Sequence, residues 1–180
     1  MPKTAVIIAD MLNSYDHDDA ESLAESVEEQ LPSIVELRNR AEQADTLVVF
    51  VNDNHDAWEA GRQELVEKAI AGEHPELVEP IAPSEPVPFI AKGRHSAFYQ
   101  TALDHLLRAA EVERVVLSGQ VTEQCILYTA LDAYIRGYEM VVPPDAVAHI
   151  DDELSQAALK MMQANMHAEL TAVAGLKLEG

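Results

Sequence analysis

Short apolar, β-prone runs alternate with longer amphipathic stretches along almost the whole chain, and this rhythm constrains the fold more than any other feature. Residues 4–9, 46–51, 89–91, 114–118 and 139–142 read as strands, with a short sixth at 170–173. Residues 21–44 carry Leu23, Val27, Leu31, Ile34, Leu37 and Ala41 at three- and four-residue spacing. This is the stripe of a helix in which Pro32 predicts a kink or a restart. Helical patterns follow at 58–71, 97–110, 123–136 and 151–165, with Gly72 and Gly137 as stops and Asp151 or Asp152 as a cap. Five prolines within 73–88 predict an ordered loop. Strands separated by helices of ten or more residues imply right-handed crossovers and a parallel sheet covered on both faces. The expected fold is α/β, a three-layer αβα sandwich on a six-stranded, mostly parallel sheet. No repeat, low-complexity tract or linker divides residues 1–180, so a single domain is expected.

Charge narrows the function. Twelve Lys and Arg stand against 32 Asp and Glu, a formal net charge of −20. Phosphate contacts need clustered basic residues, so nucleic acid and anionic membrane surfaces are both disfavoured as partners. No apolar run approaches the roughly 18 residues of a membrane span, and the N-terminal run is too short for a signal-peptide core, so a cytoplasmic location is expected. The single cysteine, Cys125, makes no internal disulfide, which fits a reducing compartment. Taken alone it is a small buried hydrophobe.

Ligands of open parallel sheets bind beyond the carboxyl ends of the strands. Three reactive side chains fall there: Asp10 after the first strand, Lys92 after the third, and Cys125 seven residues past Ser118 and a Gly119 turn. Singly, each has a bland reading as cap, solvated cation or core thiol; together they define one site. With Thr122 as N-cap, Cys125 is the third residue of a helix whose positive end stabilises a thiolate and depresses its pKa. The unpaired N–H groups of that turn are ready donors to an oxyanion. Asp10 beside Lys92 supplies the base: Asp10 takes the thiol proton while Lys92 steadies the charge, and the thiol attacks a carbonyl.

The segments AVIIADMLN (5–13), KGRHSAF (92–98), GQVTEQC (119–125), LDAYIRG (131–137) and VPPDAVA (142–148) resemble the isochorismatase-like cysteine hydrolases, a family that includes nicotinamidases and N-carbamoylsarcosine amidohydrolases. The resemblance spans nearly the whole chain in order. It implies a catalytic triad of Asp10, Lys92 and Cys125. It also implies a cis Gln120–Val121 peptide in the loop Gln120, Val121, Thr122, turning the Val121 N–H toward the site. A small-molecule substrate and a homodimer or homotetramer follow from the same likeness. Nicotinamidases of the family hold a metal with an Asp-x-His pair and a further His, for which Asp53, His55 and His74 are the matching types. The residues flanking them differ from a nicotinamidase's, and no metal or other cofactor is expected here.

Tyr15, Trp58, Phe98 and Tyr99 fall in segments expected to border the mouth of the site and wall a planar substrate, with Arg94 as the nearest cation for a substrate carboxylate. His95 adjoins the Lys92 loop and is weighed as a tuning or structural residue. The leading reading is a hydrolase that cleaves a C–N bond of a small amide or carbamoyl compound through a Cys125 thioester. The alternative is an isochorismatase-type vinyl-ether hydrolase using Asp10 as proton donor. A catalytically retired scaffold is the third reading.

Overall fold

A computed structural model describes residues 3–84 and 86–178. Its centre is strand β1 (Thr4–Ala9), buried at every residue. It is flanked in parallel by β2 (Leu47–Asp53) and β4 (Arg114–Gln120). With β3 (Phe89–Lys92) and β5 (Glu139–Val141) the order is β3-β2-β1-β4-β5. β5 pairs only with the first half of β4. β6 (Val147–Ala148) takes the second half, opposite Gly119 and Gln120, and completes a six-stranded parallel sheet.

Period-two alternation divides the core into two halves. Val6, Ile8, Val48, Phe50 and Val116 face α1 (Ala20–Gln43), α2 (Arg62–Ile70) and α3 (Pro75–Val78). Ala5, Ile7, Ala9, Val49, Val51, Val115 and Leu117 face α4 (Leu103–Ala109), α5 (Leu127–Ile135) and α6 (Asp152–Met166). Helices on both faces give the expected three layers. Among the described residues, no helix is long and apolar enough to cross a membrane.

Several boundaries move. α1 runs through Pro32 without restarting, because Pro32 lies on the exposed side, where water serves the carbonyl that lost its donor. α2 begins only at Arg62, where the Glu64 carboxylate accepts the Gly61 N–H at 2.9 Å. Residues 97–102 are turns before α4, because the Thr101 hydroxyl donates to the Ala97 carbonyl (2.6 Å) and accepts the Leu103 N–H. The expected strand at 170–173 does not form. Arg40 binds the carbonyls of Val173 and Leu176, and only Glu169 bridges to Val141. Gly137 does occupy a left-handed cap (φ 80°), and Asp151 caps α6 by accepting the Leu154 N–H at 2.9 Å. Gly72 is needed for closeness instead: a Cβ there would stand 2.3 Å from the Ser14 carbonyl oxygen.

Candidate active site

Chain connections diverge on either side of the β1–β4 pair, so the crevice beyond the carboxyl ends of these strands is where an open parallel sheet places a ligand. Asp10 leaves β1 in the left-handed region (φ 57°), its N–H bonded to the Val51 carbonyl at 2.9 Å. Across the ladder, Gly119 (φ 108°) lies so close to β1 that a Cβ would fall 2.1 Å from the Ala9 carbonyl oxygen. Gly119→Ala is therefore expected to destabilise the fold by about 2 kcal/mol or more, read as a lower urea midpoint. Unchanged stability would show that the two strand ends separate freely.

Lys92, at the end of β3, sends a side chain with no exposed surface past the end of β2 toward β1. Its Nζ lies 2.9 Å from Asp10 Oδ2, 3.6 Å from Asp53 Oδ2 and 3.7 Å from Cys125 Sγ. Asp10 Oδ1 accepts the Asp53 N–H at 2.7 Å, while Oδ2 faces the Lys92 ammonium. Burial pulls the Lys92 ammonium down, but the Asp10 carboxylate, helped by Asp53, more than offsets it, so its pKa lies above the ordinary lysine value. The cation is thus held charged between two carboxylates.

The Gln120–Val121 peptide at the end of β4 is cis. The Gln120 side-chain amide donates to the Asp10 carbonyl at 2.5 Å, and the Thr122 hydroxyl donates to the Ala148 carbonyl at 2.8 Å. Both bonds fix the loop from either side. The following turn, Thr122–Ile126, is a π-helix that leads into α5, with the N–H groups of Gln124 and Ile126 both directed at the Val121 carbonyl at 3.1 Å. Val121 therefore occupies the cap position expected of Thr122, and Cys125 is the fourth residue of the turn.

The thiol does not titrate as the helix-end argument predicts. Burial pushes its pKa up, the Asp10 carboxylate adds to the rise, and Lys92 with the Val121 N–H only partly opposes them. At neutral pH Cys125 rests as a thiol beside a base, not as a preformed thiolate. Its Sγ also stands 3.7 Å from Nδ1 of His95.

Of the five residues expected at the mouth, Trp58, Arg94 and Tyr99 line a cavity of about 350 Å³ with Lys92 and Asn54 in its wall. Trp58 is 73% exposed and covers Gly93, where a Cβ would meet the indole at 2.8 Å. Arg94 donates to the Gly93 carbonyl at 2.8 Å. Tyr15 and Phe98 do not border the opening. The Asn13 side chain accepts the Tyr15 N–H, and the turn (φ 54°) drives the ring into the α1-side core, edge-on to His74. Phe98 is buried in the opposite core, stacked on Tyr138 at 5.9 Å beneath the Arg136 guanidinium.

Asp53, His55 and His74 are not assembled as metal ligands. Asp53 faces Lys92 and accepts the His55 N–H at 2.8 Å, His55 Nε2 donates to the Leu12 carbonyl at 3.2 Å, and His74 lies 3.0 Å from Glu76 and 3.6 Å from Glu21. Among the described residues, no three His, Cys, Asp or Glu side chains are grouped to hold a metal ion. The structure gives Asp53 and His95 places that sequence reasoning missed, the first on the buried cation and the second on the thiol.

The isochorismatase domain model matches residues 4–174. The chain is 34% identical over 167 residues to the isochorismatase family protein YaaI of Bacillus subtilis strain 168, covering 93% of this chain and 92% of that one. It superposes on the nicotinamidase SaPncA of Staphylococcus aureus with a TM-score of 0.71 at 28% identity, covering 95% and 100% of the two chains. For the N-carbamoylsarcosine amidase of Thermoplasma acidophilum the TM-score is 0.73 at 25% identity, covering 97% and 99%.

Proposed function

The chain belongs to the isochorismatase family, and from that premise we propose that it is a cysteine hydrolase cleaving the C–N bond of a small amide or carbamoyl compound. The observation that carries this reading is the convergence of Asp10 Oδ2, Lys92 Nζ and Cys125 Sγ, with Lys92 within 3.7 Å of both partners. The nicotinamidase and N-carbamoylsarcosine amidase likenesses favour C–N chemistry.

Asp10 Oδ2 takes the proton of Cys125, and the Lys92 ammonium offsets the negative charge passing from carboxylate to sulfur. The sulfur attacks the substrate carbonyl, whose oxygen gains charge opposite the N–H groups of Val121 and Cys125. As the C–N bond breaks, Asp10 returns its proton to the departing amine, and a thioester remains on Cys125. Water then hydrolyses it. A thiol kept protonated at rest suits this order, because the nucleophile forms only when Asp10 accepts the proton. Trp58 and Tyr99 offer flat walls to the substrate beside Lys92.

The test is ammonia release from a panel of primary amides and carbamoyl compounds, by untreated protein and by protein alkylated at Cys125 with iodoacetamide. Release by untreated protein alone is the expected result. Release that survives alkylation would overturn the thioester route. No release, with consumption of isochorismate, would move the assignment to the vinyl-ether alternative.

A further inference from the structure

The water that hydrolyses the thioester must lose a proton as its oxygen bonds to the acyl carbon. The Asp10 side chain is 12% exposed and salt-bridged to a fully buried Lys92. His95 also borders the sulfur. It is exposed, its ring packs against Tyr128 at 5.5 Å, and its Nδ1 stands 3.7 Å from Cys125 Sγ. Its position is built by the flanking residues: the Ser96 hydroxyl donates to Asp132 at 2.6 Å, and the Ala97 N–H donates to the Thr129 hydroxyl at 3.0 Å, so the loop is clamped onto α5.

We infer that His95 is a catalytic residue of deacylation, acting from the solvent side of the thioester. This rests on the thioester reading. Neutral His95 accepts through Nδ1 one proton of the attacking water while the oxygen bonds to the acyl carbon. When the C–S bond then breaks, the sulfur leaves as thiolate and takes that proton back from Nδ1. The acid product carries the water's oxygen and its other proton, and thiol and imidazole return to their starting forms. One nitrogen serves both transfers because it faces the sulfur that must be reprotonated. Cys125 faces the imidazole at Nδ1 and Tyr128 packs against its ring from α5. Arg94 is turned to the Gly93 carbonyl, and Asp132 is engaged by Ser96 and Arg136.

The experiment follows p-nitrophenyl acetate, whose leaving group needs no proton, so that acylation appears as a burst and deacylation as the steady rate. In His95→Gln the burst should survive within about twofold, while the steady rate falls roughly 10- to 100-fold and acetyl-enzyme accumulates by mass spectrometry. Added imidazole should restore the steady rate of His95→Gly, a rescue that a structural role would not give. Equal losses in burst and steady rate, or no rescue by imidazole, would overturn the role of His95 while leaving the thioester intact. A burst that persists in Cys125→Ala would overturn the thioester reading itself.

Discussion

Cys125→Ala is expected to lower amide hydrolysis by roughly 10⁴-fold or more, because on the proposed thioester route it removes the atom that bonds to the acyl carbon. What remains is a crevice that still binds and polarises a carbonyl without a nucleophile. The loss should fall on kcat with little change in KM, since the aromatic walls around Trp58 and Tyr99 lie apart from the sulfur. Stability should stay within about 1 kcal/mol, since Cys125 is only part-buried and the cis loop is held by Gln120 and Thr122. Under the vinyl-ether alternative the outcome reverses: Cys125→Ala stays active and Asp10→Asn does not. Single-turnover kinetics on both variants separate the two.

Lys92→Met should be costly in a different way. The methionine fills much of the same space but leaves the Asp10 and Asp53 carboxylates facing a buried point from which the cation has gone. Breaking a buried ion pair by removing one partner costs about 3–5 kcal/mol, so the urea midpoint at neutral pH should drop sharply and activity should vanish with it. The pH dependence gives the sign. In the wild type the Lys92 pKa is raised on folding, so its contribution is complete below the ordinary lysine value and is lost only as alkaline pH passes the raised one. A variant as stable as the wild type at neutral pH would show that the three charges are not coupled.

The strands were legible because each is a short apolar run, and buried parallel strands need no alternation to be seen. The sixth was missed because β6 is two residues long, and its rival at 170–173 loses its carbonyls to Arg40, a partner some 130 residues away in sequence. Asp10, Lys92 and Cys125 stood out by falling just past strands, a purely local signal. Asp53 in the same cluster did not, since its meeting with Lys92 depends on β2 lying between β1 and β3. Tyr15 and Phe98 were assigned to the opening by position along the chain, whereas the direction of a ring is set by turns such as the one at Asn13. The thiol's titration went the same way: the helix end is visible in sequence, but burial and a carboxylate arriving from another strand are not.

The bond from the Gln120 amide to the Asp10 carbonyl joins residues 110 positions apart, across the central strand pair of the sheet. Closing so long a loop is entropically slow, and the catalytic groups gain nothing from it until β1 and β4 lie side by side. A nascent or partly unfolded chain thus holds Cys125 without Asp10 or Lys92 beside it, free of the burial and the carboxylate that raise its pKa in the fold. The meeting of the three side chains belongs to the finished sheet alone.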